Sequence, residues 1–310
     1  MVLATKTVGM DRQEWLKARQ SGIGGSDASV ILGFNPYKSP FELFYEKTNE
    51  YVAEVDNKFI YWGNKLEDVV AEAFSEFTGK KVRRRNQIFR HPEHNFMIAN
   101  IDRDIVGEKA LLECKTTHTF NADAWKGDEI PAAYICQLQH YMAVLDYKKA
   151  YIAVLVGTKD FIWKEVERDD EFIELMIQRE KDFWENHVLA GVPPAIDGSP
   201  SAAELLNKLY PTDNGETVML DSEAEQLIEA IESLKADKKQ IEEQLKVYEN
   251  QLKMTLEDAS VGVTNRFKVT YKAITTNRID SKRLKEEHPE IYEKYTKPSV
   301  SRRLTIKEVI

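Results

Sequence analysis

The sequence has little cysteine: Cys114 and Cys136 are the two in 310 residues. Both lie in apolar segments and read as buried free thiols. Two cysteines cannot hold an iron–sulfur cluster or a structural zinc site, which need about four ligands. Histidine is also sparse, with 6 in the chain, and His91 and His94 are the nearest pair. None shows paired metal spacing, so zinc is not expected. There is no apolar run of about 20 residues, which excludes a membrane-spanning helix. The opening residues carry no apolar block of signal-peptide length, so a cytoplasmic protein is expected. No Walker loop or dinucleotide-binding glycine motif occurs, so ATP is not expected as a cofactor. A surplus of positive charge is lacking too, since the formal net charge is −9. Taken alone, that balance argues against a nucleic-acid partner.

The distribution of charge reads differently. Lys80, Lys81, Arg83, Arg84 and Arg85 form a basic run, and Arg302, Arg303 and Lys307 lie near the C-terminus. Part of the acidic surplus sits in the helical stretch from Glu223 to Glu249, which need not face DNA.

Periodicity divides the chain. A short helix is expected near 12–20, broken by Gly22, Gly24 and Gly25, with Ser26 or Asp27 capping a second helix that ends near Gly33. A further helix is expected at 40–47. Leu66, Val69, Val70, Ala73, Phe74 and Phe77 mark an amphipathic helix over 65–78, closed by Gly79. Strands are expected at 82–90, 96–106 and 110–116, the last two joined by a turn at Gly107-Glu108-Lys109. A helix over 131–145, strands at 149–156 and 161–167, and a helix over 169–189 complete the unit. The order implies an α/β (α+β) fold, a central mixed sheet flanked by helices.

The stretch Gly191–Pro200 marks a boundary between residues 1–195 and 205–310. Beyond it, Leu227, Ile231, Leu234, Ile241, Leu245, Tyr248 and Leu252 keep a 4–3 spacing with Lys238 in one slot, a coiled-coil register. It suits a helical hairpin, a helix packed on its own domain, or pairing between chains. A small strand–helix–strand appendage is expected after it, with strands near 267–274 and 301–307.

The residues that carry chemistry lie in the expected hairpin. Asn100, Asp102 and Asp104 share one strand face, as do Glu113 and Lys115, because strand side chains alternate with period two. Asp102 beside Glu113 offers two carboxylates to a hard cation, with the Cys114 carbonyl as a further ligand. Hydrolysis of a phosphodiester needs an activated water and charge relief, which magnesium supplies. Lys115 can orient or deprotonate that water, or stabilise the charged phosphorane.

With these in view, the chain resembles the PD-(D/E)XK nucleases, and more narrowly the YqaJ-like viral recombinase family that includes phage lambda exonuclease. The resemblance rests on Arg19-Gln-Ser-Gly-Ile-Gly-Gly-Ser26, Gly63-Asn-Lys-Leu-Glu67, Ile101-Asp102, Glu113-Cys-Lys115 and Gln137-Leu-Gln-His-Tyr141. It covers about residues 10–190. The family's proline before the first aspartate is Ile101 here. The resemblance implies a magnesium-dependent deoxyribonuclease, with Mn²⁺ able to substitute, that digests duplex DNA 5′ to 3′ and leaves 3′ overhangs for phage-type recombination. It implies that Glu67 joins the metal site, that Gln137 and Tyr141 position water, phosphate or Lys115, and that Arg19 and Ser26 hold a DNA 5′-phosphate. The basic run 80–85 is expected to track the DNA backbone. The resemblance also implies a single-strand annealing protein as partner, a homo-oligomer such as a ring trimer, and a phage or prophage origin within a bacterial host cell. An endonuclease with the same metal site, a non-catalytic DNA-binding scaffold and a coiled-coil oligomeriser are the competing readings.

Overall fold

A computed structural model describes residues 3–48 and 58–308. The chain divides into two compact units, 1–208 and 209–310.

The first unit opens with β1 (Leu3–Lys6), a strand that the sequence pattern does not announce. Helix α1 (Arg12–Gln20) starts at Asp11, whose side chain accepts from the Glu14 amide while Glu14 reaches back to the Asp11 amide. Helix α2 (Gly25–Ile31) follows after a four-residue loop. Its N-cap is Gly24, not Ser26 or Asp27. Asp27 lies within the first turn, and its carboxylate accepts from the Gly24 amide instead. Helix α3 (Pro40–Lys47) is capped by Ser39, with proline in its first turn.

Helix α4 (Lys58–Thr78) begins well before the expected residue 65. Val70, Ala71 and Phe74 are buried, whereas Val69 and Phe77 are exposed, so the apolar stripe is narrower than the pattern suggested. Phe77 stacks on Phe161 at the edge of that contact. Gly79 ends the helix at φ +72°.

The expected strand 82–90 is two strands in different sheets, β2 (Val82–Arg84) and β3 (Gln87–Arg90). The expected strand 96–106 is likewise split into β4 (Ile98–Ala99) and β5 (Arg103–Ile105). Ile98 is drawn away because its amide donates to the Ile23 carbonyl and β4 pairs with β3. Strand β6 (Ala110–Thr117) forms the hairpin with β5 around Gly107. After a 3-10 turn (Thr119–Trp125), helix α5 (Ala132–Leu145) leads to β7 (Lys149–Val156), which lies parallel to β6. Strand β8 (Asp160–Glu167) turns back antiparallel on β7. Helix α6 (Asp170–Phe183) is capped by Asp169 and ends in a π turn over Trp184–Leu189. Helix α7 (Pro200–Leu209) lies past the glycine- and proline-rich stretch; its buried Ala202 and Leu205 belong to the first unit.

The main sheet therefore runs β2-β5-β6-β7-β8, with β1-β3-β4 as a second, three-stranded sheet. It is mixed and flanked by helices. Alternation along its central strands builds two cores. Leu111, Ile152 and Val154 face α5. Leu112, Tyr151 and Ala153 face Val70, Ala71 and Phe74 of α4.

The second unit contains α8 (Ser222–Leu256), a single helix of 35 residues. Strands β9 (Val261–Val263) and β10 (Lys268–Thr270) pair antiparallel, followed by helices α9 (Ser281–Glu287) and α10 (Pro289–Tyr295). The appendage is thus strand–strand–helix–helix. The expected strand at 301–307 is absent among the described residues, and that near 267–274 shortens to β10, because β10 pairs with its sequence neighbour β9.

Candidate active site

The β5–β6 hairpin sets the site. Arg103 pairs with Leu112 and Asp104 with Leu111, so one step further along the register brings Asp102 beside Glu113. The Cys114 backbone amide donates to Asp102 Oδ2 at 2.8 Å, locking the carboxylate against β6. Glu113 and Lys115 follow Leu111 on the face toward α5, while Cys114 points to the α4 core. Lys115 Nζ lies 2.7 Å from Glu113 Oε1, and Gln137 Nε2 on α5 donates to the same oxygen at 2.7 Å. Gln137 Nε2 also lies 3.1 Å from the Tyr141 hydroxyl, one helical turn on. Lys115 sits over the Tyr134 ring, 5.1 Å from its centroid.

Glu113 is 4% exposed, and its second oxygen, Oε2, has no hydrogen-bond partner among the described residues. A buried carboxylate oxygen left bare is costly unless a cation meets it. The electrostatics agree. Burial and the neighbouring Glu113 carboxylate push the Asp102 carboxyl well above its ordinary range, against the pull of Lys115. Burial alone would depress Lys115, but the Glu113 and Asp102 carboxylates outweigh it and hold the ammonium more firmly protonated. Burial and Glu113 together raise the Tyr141 phenol. Two crowded carboxylates, one with a bare oxygen, fit a hard cation such as Mg²⁺, which binds through one or two carboxylates plus other oxygens. Among the described residues no group of three or more His, Cys, Asp or Glu side chains could hold a metal ion. Asp102, Glu113 and backbone oxygen would therefore carry it.

Glu67 also pushes the Asp102 carboxyl up, but its own carboxylate is held by arginines. Its carboxylate receives Arg84 at 3.0 Å and also pairs with Arg103, while Asp68 pairs with the same two arginines. Asp104 shares the strand face of Asp102 but turns to other partners. Arg83 and Arg85 reach its Oδ2 at 3.2 and 2.9 Å, and Tyr147 donates to its Oδ1 at 2.8 Å. Lys80 pairs with Glu108 at 2.6 Å, and Lys81 is exposed. Four of the five basic residues of the 80–85 run thus already hold an internal carboxylate.

The glycine loop lines the same cavity. Arg19 Nη2 donates to Ser26 Oγ at 3.1 Å, and its guanidinium lies 4.9 Å from the Trp15 ring centroid. The loop is sewn to β4 through Ile23, and a Cβ on Gly22 would fall 2.6 Å from the Phe96 carbonyl oxygen. A Cβ on Gly25 would fall 2.6 Å from Tyr141 Cε1 and 2.9 Å from Gln137 Cγ, so the start of α2 touches α5 only because residue 25 has no side chain. Beneath the loop, Lys47 Nζ binds Asp27 at 2.6 Å and the carbonyl oxygens of Gly22 and Arg19 at 2.7 and 3.1 Å.

Arg19, Ser26, Asp102, Glu113, Lys115, Gln137 and Tyr141 all line one cavity of 540 Å³. Asn64, Asn100, Lys38 and the Asp27–Lys47 pair line it too. In the sequence Asp27 reads as a cap, Asn100 as a face neighbour and Asn64 as a member of the Gly63–Glu67 motif, while nothing marks Lys47 or Lys38. Asp27 sits beside Ser26 in the glycine-rich segment, which was the available signal. Lys47, the last residue of a short helix, carried none.

Against known proteins, a family described as the YqaJ-like viral recombinase domain matches residues 14–148. The uncharacterized protein YqaJ of Bacillus subtilis (strain 168) is 47% identical over 304 residues, covering 97% of this chain and 95% of that protein. Among solved structures, the alkaline exonuclease LHK-Exo from Laribacter hongkongensis superposes with a TM-score of 0.50 at 18% identity, over 64% of this chain and 100% of that one. LHK-Exo in complex with dAMP gives 0.51 at 20% identity, over 64% and 97%. At those identities the likeness is one of fold. With the match over nearly its whole length to YqaJ, the chain belongs to the YqaJ-like viral recombinase family.

Proposed function

We propose that the protein is a magnesium-dependent deoxyribonuclease that digests duplex DNA from a 5′ end. The observation that carries this reading is the bare, buried Oε2 of Glu113, in a cavity lined by Asp102 and Lys115 and also by Arg19 and Ser26. Asp102, Glu113 and the Cys114 carbonyl would hold the divalent ion. When bound, that ion supplies Lewis-acid activation of water and relief of charge on the phosphate.

The protein's own groups do the rest. Lys115, fixed between Glu113 and the face of Tyr134, presents an ammonium to a scissile phosphate or to the attacking water. Gln137 orients the Glu113 carboxylate and passes a hydrogen bond on to Tyr141. Arg19, Ser26 and the start of α2 offer charge and hydrogen bonds to a terminal phosphate. Holding both a chain end and the scissile bond in one cavity favours an exonuclease over an endonuclease. Glu67, tied to Arg84 and Arg103, would act by holding the edge of the hairpin that bears Asp102. Products with 3′ overhangs would suit a single-strand annealing partner in recombination.

The test is digestion of linear duplexes with and without a 5′-phosphate, in Mg²⁺, in Mn²⁺ and in chelator, beside covalently closed circles. Rapid, metal-dependent loss of the phosphorylated linear duplex is expected, with the circle spared. Cutting of the circle would overturn the end-dependent reading, and activity in chelator would overturn the metal site.

A further inference from the structure

Within its own unit, helix α8 presents an apolar stripe that no described residue covers. Leu234 is 68% exposed and Tyr248 69%, and Leu227, Ile241, Leu245 and Leu252 are exposed as well. These residues keep the alternating 4–3 spacing of a coiled-coil seam, with Ile231 and Lys238 in register. A lone seam of this length loses its apolar surface to water unless a second helix meets it.

We propose that the partner is the same helix of a second copy of this chain, running antiparallel, with the two-fold axis between Lys239 and Gln240. Two facts of the sequence select this arrangement. In a parallel pair, Lys238 would face Lys238 of the other copy inside the seam, and Asp237 would flank Glu242 across it. Both contacts repel. Reversing one strand about the stated axis sets Lys238 against Ile241, so the ammonium can reach the rim along its own stem. The same operation sets Leu234 against Leu245, Ile231 against Tyr248 and Leu227 against Leu252, with no apolar position left over. It also brings Lys235 of one copy to Glu242 of the other, twice by symmetry. Lys235 now pairs within its own helix with Glu232 at 2.8 Å, and Lys238 with Glu242 at 3.8 Å. Both ion pairs are exposed and cheap to exchange. An interface that maps onto itself in this way closes as a two-fold dimer and does not grow into a fibre.

The test uses the full-length protein and reads mass and cross-links, so it is independent of nuclease activity. Sedimentation at micromolar concentration should give a species containing α8-paired chains. Leu234→Lys combined with Leu245→Lys should break that pairing, while Lys238→Leu should tighten it about tenfold through the added apolar burial. Circular dichroism would verify that α8 stays helical. Leu227→Cys and Leu252→Cys chains, co-expressed and mildly oxidised, should cross-link to each other, and Leu227→Cys alone should not, with the wild-type chain as blank. A strict monomer, an assembly indifferent to Leu234→Lys with Leu245→Lys, or self-cross-linking of Leu227→Cys would each overturn the proposal.

Discussion

Lys47 Nζ lies 2.6 Å from Asp27 Oδ2, and both side chains are buried beneath the glycine loop. The pair joins α3 to α2 and holds the carbonyl oxygens of Gly22 and Arg19 from below. Removing one partner strands the other charge. Asp27→Asn should therefore cost about 3–5 kcal/mol, whereas Asp27→Asn with Lys47→Met, which removes both charges, should cost less. Urea unfolding of the two variants measures the difference.

The same pair predicts a dependence on acid. Burial alone would raise the Asp27 carboxyl, but Lys47 and then Arg19 outweigh it and hold it well below the usual carboxylate range. An unfolded chain therefore binds a proton at this residue at a higher pH than the folded one. The associated stability is present above about pH 4, the unfolded carboxylate value, and is lost as pH falls toward the folded value. Melting curves between pH 6 and pH 3 should show that loss in the wild type. It should be smaller in the double variant, and an unchanged slope would remove Asp27 from the acid response.

Gly25 offers a test of packing. A methyl group there would meet Tyr141 Cε1 at 2.6 Å and Gln137 Cγ at 2.9 Å. Gly25→Ala should destabilise the first unit by about 1–3 kcal/mol through overpacking. It should lower turnover more than DNA affinity, because Gln137 is displaced from Glu113. Single-turnover digestion beside filter binding separates the two, and equal loss in both would mean that Gly25 acts on folding alone.

Much of the first unit is legible in the sequence because its signals are local. Leu111, Ile152 and Val154 alternate with Leu112, Tyr151 and Ala153, and that alternation alone assigns two buried faces to β6 and β7. The turn at Gly107, with its φ of +88°, fixes a register in which Asp102 meets Glu113. What the sequence hides is non-local. Nothing in the runs 82–90 and 96–106 tells that each serves two sheets, since the division depends on Ile23 capturing Ile98 from elsewhere in the chain. Lys47 reaches Asp27 across 20 residues with no shared periodicity. The basic run 80–85 reads as free charge, yet its arginines are held by Glu67, Asp68 and Asp104, which no pattern pairs with them.

Under the proposed function, Lys115 and Glu113 would bear on the chemistry directly. Lys115→Ala should lower turnover on linear duplex by about 10²–10³-fold while DNA binding persists, as expected for a group aimed at developing charge. Glu113→Gln should abolish calorimetric binding of Mg²⁺ as well as turnover, since it removes the oxygen left bare in the cavity. Lys115→Ala with full activity would take the lysine out of the mechanism, and Mg²⁺ binding by Glu113→Gln would take Glu113 out of the metal site.

Under the proposed function, Arg19 and Ser26 would address the end of the strand. Arg19 Nη2 spends one donor on Ser26 Oγ, and the guanidinium keeps further N–H groups for a phosphate. A hydrogen bond to a charged group contributes about 1.5–3 kcal/mol, which corresponds to roughly 10- to 150-fold in binding or rate. Arg19→Ala should therefore lower the rate on 5′-phosphorylated duplex by about that factor and leave the rate on a 5′-hydroxyl duplex nearly unchanged, collapsing the preference between them. Ser26→Ala should do the same more weakly, since it removes a neutral donor. Because Arg19 and Ser26 are in contact, their effects should not add in the double variant. Equal losses on both substrates would place Arg19 at the scissile phosphate or the DNA backbone instead of the terminal one.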